Sequence, residues 1–103
     1  MNVVLEKFRD QAVDRGGLVL FPGDAAIQVV IEARRMKIPI LGIDGIFLEE
    51  GRTRPSLENS IDFSTCADCT GDVYVAAIDF VKRNANADLY FEIILGDQSV
   101  KAK

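Results

Sequence analysis

The sequence predicts an α+β fold: a small, mostly antiparallel sheet of three, with room for a fourth, strands and about three helices packed on it. Three observations predict it. Two central segments space their apolar residues at the helical period, two other segments are apolar runs of strand length, and the breaks between them are short and rich in Gly, Pro, Asn and Asp. At 103 residues and 11.3 kDa, residues 1–103 form a single globular domain around one core.

Taken in order, residues 1–14 read as a first helix, because Val4, Phe8 and Ala12 recur every fourth residue with Leu5 beside them. Gly16 and Gly17 stop it. The run Leu18-Val-Leu-Phe21 is too short for periodicity to decide between a buried strand and a lead-in to the next helix. Asp24 is placed to cap a second helix reaching about Met36, with Ala26, Ile27, Val30, Ile31 and Ala33 as its apolar face. Arg34, Arg35 and Lys37 suit the negative end of its dipole, and Pro39 forbids continuation.

Residues 40–48 follow as a strand with apolar residues on both faces, so both faces are expected to be covered. Gly42 and Gly45 around Ile43-Asp44 point to a bulge or a close backbone approach. Residues 49–55 read as a polar turn, and Leu57, Ile61 and Phe63 as one side of a second, half-exposed strand. After a polar connector, residues 64–71, Asp72 is expected to cap a third helix running to about Ala85, with Asn84 and Asn86 in its exit turn. Residues 89–95 form the last strand, stopped by Gly96, and residues 100–103 a frayed tail. The strands at 57–64 and 88–95, joined through the third helix, can run parallel in one sheet, in which case the crossover is right-handed.

Composition removes several functions. A net charge of −4 and a pI near 4.7 argue against nucleic acid as a direct partner, since phosphate binding wants clustered Lys and Arg. No apolar stretch approaches the ~20 residues of a membrane helix, so no membrane partner is expected. No export signal opens the chain, which predicts a cytoplasmic location. The absence of histidine removes the commonest general base and metal ligand together, and no cofactor motif appears, so no cofactor is expected and a non-enzymatic role is favoured.

Three features are left to carry function. Cys66 and Cys69 form the one motif-like pair, readable as a thiol-redox couple at the start of the third helix, as half of a metal site shared across a dimer, or as incidental thiols. Asp68 between them opposes thiolate formation, and the pair has no further Cys or His in the chain to complete a metal site. Asp44, inside an apolar strand, must be satisfied by nearby backbone amides or serve a function; Glu49 and Asp62 are its nearest carboxylate partners if the strands pair. Charge is the third feature. Residues 40–80 hold eight acids, among them Asp44, Glu49, Glu50, Glu58, Asp62, Asp68 and Asp72, against Arg52 and Arg54. That segment is net −6, more negative than the whole chain. Such a field steers a basic protein partner, or merely keeps the protein soluble.

The run Arg35-Met-Lys-Ile-Pro-Ile-Leu-Gly-Ile-Asp-Gly-Ile46, preceded by an amphipathic helix and followed by a loop, a helix and Leu89-Tyr-Phe-Glu-Ile-Ile-Leu95, resembles the small immunity proteins of bacterial polymorphic toxins. The resemblance spans residues 25–95. It implies an inhibitor without chemistry of its own that binds a cognate toxin and occludes its active site, here through the acidic positions named above. The other readings, a thiol-redox or metal-sharing protein using Cys66 and Cys69 and a structural or homo-oligomeric protein, remain open at this stage.

Overall fold

A computed structural model describes residues 3–50, 52–63, 72–86 and 88–96. The fold is α+β, as expected. Helices α1 (Val3–Lys7), α2 (Gly23–Arg35) and α3 (Val73–Arg83) line one side of a sheet built from β3 (Ile40–Glu49), β4 (Arg52–Asp62) and β5 (Leu89–Leu95), while β1 (Val13–Arg15) and β2 (Leu18–Leu20) make a separate hairpin. The sheet order is β4-β3-β5, with β3 antiparallel to both neighbours. β4 and β5 therefore run parallel to each other with β3 between them. Phe21, just past β2, exchanges two 2.8 Å backbone hydrogen bonds with Phe91, which seats the hairpin beside β5 in the fourth position.

The first helix is shorter than its periodicity predicts. It ends at Lys7, a turn of 3-10 helix covers Arg9–Gln11, and the chain is already strand at Val13. Gly16 and Gly17 are the cause. Their φ values of 59° and 89° build the two-residue turn that matches strand twist, and Arg15 pairs directly with Leu18 across it. The glycines thus fold back a hairpin rather than end a helix, and the ambiguous run 18–21 is a strand.

Pro22, not Asp24, occupies the N-cap position of α2, with no side-chain capping bond, and Asp24 lies in the first turn, where its charge complements the dipole. Its buried side is Ala25, Ala26, Val29, Val30 and Ala33. Glu32 is buried too. Arg35 at 2.6 Å and Lys7 of α1 at 3.3 Å hold its carboxyl down at about 2, so the charge that fixes α1 against α2 is satisfied. α2 closes with Lys37 at a φ of 61°, while Ile38 N–H donates back to the Ala33 carbonyl. α3 is capped as expected: the Asp72 carboxylate accepts from the Tyr74 and Val75 amides.

The stretch 49–55 is not a loop. Glu49 pairs with Arg52, and β4 runs from Arg52, so residues 52–55 belong to a strand. Pro55 is tolerated because β4 is an edge strand, where a missing N–H costs no ladder bond. The register then breaks: between Ile43↔Ile61 and Gly45↔Ser56, β3 advances two residues while β4 advances five. The surplus packs over Gly45, where a Cβ would run into the Asn59 backbone oxygen and lie 2.7 Å from the Asn59 Cβ. The glycines of β3 thus mark a close approach, with the larger bulge in the partner strand.

A second irregularity lies between Ile40 and Gly42, where β5 advances by one residue only. It turns Ile40 and Ile43 to the same side. The core is accordingly one-sided: Ile40 and Ile43 of β3 and Leu89, Phe91 and Ile93 of β5 pack with Phe21, Val29, Val30, Phe80 and Val81. Phe80 meets Phe91 edge to face at 6.5 Å. The expectation that both faces of β3 are covered is therefore corrected, because among the described residues no helix packs on the other face.

Lys37 occupies the left-handed region that an L side chain enters at a cost of ~1–2 kcal/mol. Lys37→Gly is expected to raise unfolding stability by about 1 kcal/mol in urea titration without changing the m-value.

Candidate functional site

Strand alternation decides which residues reach the uncovered face of the sheet. From β5 these are Tyr90, Glu92 and Ile94; from β3, Leu41, Asp44, Ile46 and Leu48; and from β4, Ser60 and Asp62 near one end and Thr53 and Pro55 near the other. Ile46, paired with Pro55 and Tyr90, is shielded by its neighbours at 3% exposure. Leu41 and Ile94 are exposed. Around Gly42 these residues enclose an open cavity of about 540 Å³, lined by Leu41, Gly42, Asp44, Ser60, Ile61, Asp62 and Ile94.

The charged side chains that the described residues of the three strands place on this face are all acidic. Asp44 lies directly opposite Glu92 in the β3–β5 ladder, and Asp62 flanks them through its pairing with Gly42. Burial first, and the Asp44 charge second, push the Glu92 carboxyl above its usual range. Arg52 and Arg54 sit at register positions belonging to the other face, where Arg54 lies 4.6 Å from the Phe47 ring. Among the described residues of the sheet, no Lys or Arg alternates onto the open face.

The acids singled out from the sequence are thus divided rather than gathered. Asp44 and Asp62 share the open face, and Asp44, at the register break between Ile43 and Gly45, is half-buried opposite Glu92. Glu49 ends β3, 2.7 Å from Arg54 and 3.5 Å from Arg52; the Arg54 hydrogen bond leads in holding its carboxyl below the usual range. Glu50 and Glu58 are exposed, the first after β3 and the second in the surplus segment of β4. Asp72 is occupied at the start of α3, where it also meets Arg34 at 2.8 Å. Asp68, Cys66 and Cys69 lie outside the described residues. Among the described residues, no group of three or more acid, Cys or His side chains is arranged to hold a metal ion.

Glu92 escaped the sequence reading. It interrupts the apolar run 89–95 at a position two residues from Ile94 and Tyr90, so alternation places it on the second face. Its signal was a charged residue in mid-strand, the feature that made Asp44 conspicuous.

Ser60 shapes the wall of the cavity. Its hydroxyl donates to the Ser56 carbonyl at 2.7 Å and accepts from the Gly45 amide at 3.2 Å. Beside it, Ser56 donates to the Asn59 side chain, whose amide donates to Asn84 at the end of α3. These bonds fix the irregular segment of β4 against both β3 and α3.

Two like charges facing each other across a ladder are destabilising, by ~0.2–1 kcal/mol. Because its folded-state pKa is raised, Glu92 lowers stability as pH rises through and above the ordinary carboxylate range, and costs nothing below it. Glu92→Gln is therefore expected to stabilise the fold by about 0.5 kcal/mol at pH 7, with the gain vanishing below pH ~4, as read by thermal melts across pH. No protein-family model matches the chain, and no curated protein matches it.

Proposed function

We propose that this chain is a non-enzymatic binding protein, an immunity- or antitoxin-like inhibitor that docks a basic protein partner on the open face of its sheet. One observation carries the reading: a sheet face left uncovered by the helices bears exposed Leu41 and Ile94 together with Asp44 and Glu92, with no Lys or Arg on it among the described residues of the sheet. Apolar contacts supply the anchor of an interface, and the surrounding charge selects the partner and speeds its arrival. Nucleic acid is repelled by this face. A second copy docked face to face sets the same carboxylates against one another.

The docking surface is narrower than the whole acidic segment. Glu49 is neutralised by two arginines, and Asp72 is committed to α3. Glu50 and Glu58 lie outside the open face and contribute only to the long-range field. The inhibitor acts in the cytoplasm, where a toxin made by the same cell must be held inactive. In this reading the activity is occlusion of the partner, without chemistry of its own.

The test is co-expression with the product of an adjacent toxin-domain gene. The expected outcome is restored growth and a complex that co-purifies, with Asp44→Lys/Glu92→Lys slowing association about tenfold or more at low salt and flattening its salt dependence. Absence of both rescue and complex overturns the reading. So does unchanged association by the double variant, once its melt shows that it is folded.

A further inference from the structure

We propose that the cavity over Gly42 seats an arginine side chain of the docked partner, an inference that rests on the docking reading above and names the group that would occupy its centre. The cavity exists because an outward-facing position of β3 carries no side chain. Gly42 lies between Ile94 and Asp62 in the ladder, and a Cβ there would sit 3.0 Å from the Ile61 carbonyl oxygen and 4.0 Å from Ile94 Cδ1. The close approach of the β4 backbone at Ile61 keeps the position bare, while Ile94 of β5 lies at ordinary contact distance. At about 540 Å³ the space falls within the ~300–1,000 Å³ typical of small-ligand sites.

Its lining states what fits. Leu41 and Ile94 offer apolar walls to an aliphatic stem, and both stand exposed with nothing on them among the described residues. Asp44 adds a carboxylate to the lining, and Glu92, outside the lining itself, faces Asp44 across the ladder. A cation arriving there relieves the repulsion between those two groups, so its binding gains what their juxtaposition costs the free protein. Arginine suits this better than lysine. Its guanidinium is flat, weakly hydrated and able to bridge two acceptors, while ammonium demands its water shell back. The stem lies along apolar walls with the charged head at Asp44, the ordinary posture of a long cationic side chain.

Amide-detected NMR titration of the whole chain at low salt tests this, with butylguanidinium, butylammonium and butanol as the probes. The expected result is saturable shifts at the Gly42, Asp44 and Ile94 amides, with butylguanidinium binding at least about threefold more tightly than butylammonium and butanol showing no saturation. Asp44→Asn/Glu92→Gln should weaken butylguanidinium about tenfold, while Glu50→Gln leaves it unchanged. Absence of saturable shifts at those amides, equal binding of butanol, or no effect of the double variant overturns the proposal. If butylguanidinium fails while Ile94→Lys still abolishes the co-purified complex, the arginine seat falls and the docking face stands. If butylguanidinium binds as expected while no toxin complex forms, the seat stands and the toxin-type partner falls.

Discussion

Gly45 has no side chain, and Asn59 occupies the space that one would fill. That close approach is the constraint on which the sheet depends. It lets β4 carry surplus residues without parting from β3, because the Gly45 amide finds Ser60 across the irregularity and Asn59 reaches on to Asn84 at the end of α3. Asn84 in turn donates to the Phe80 carbonyl, so the strut reaches the last turn of a core helix. With β4 held there, β3 is bonded on both edges, and its two faces are free to differ.

The proposed docking rests on the difference between the two faces. On one side, alternate residues of β5 meet α2 and α3 in a dry core. On the other, Asp44 and Glu92 face each other beside exposed leucine and isoleucine. Several other acids are paired with bases: Glu32 has Lys7 and Arg35, Glu49 has Arg52 and Arg54, and Asp72 has Arg34 and a helix end. Among the described residues no base compensates the Asp44–Glu92 pair, and the Glu92 carboxyl is raised first by burial and second by the Asp44 charge, the part that a cationic partner would offset.

Much of this fold was legible before any coordinates. The central helices announced themselves by apolar spacing, Asp72 by its position before one of them, and the last strand by an apolar run, interrupted at Glu92 alone and closed by Gly96. Errors arose where two signals overlapped. The helical spacing of Val4, Phe8 and Ala12 persists past the end of α1, because Phe8 and Ala12 pack on the same core from a turn and an extended segment. Arg52-Thr-Arg54-Pro55 looked like a loop because its residues are polar and include proline, yet an edge strand tolerates both. The open face was hidden for a different reason. Two register shifts change which side a residue faces, and no alternation counted along one strand reveals them. Asp44 was visible as an anomaly, but its neighbour Glu92 lies 48 residues away in sequence and becomes its partner only through the register of β3 with β5.

The central claim is that the sheet buries one face and leaves the other for a partner. Adjacent residues of β5 test it most directly, since Ile93 is 3% exposed and Ile94 is 38% exposed. Each is replaced by alanine and unfolding is measured in urea. The account predicts a loss of ~2–5 kcal/mol for Ile93→Ala and less than about 1 kcal/mol for Ile94→Ala. Comparable losses at both positions would mean that the second face is also core, and would contradict the account.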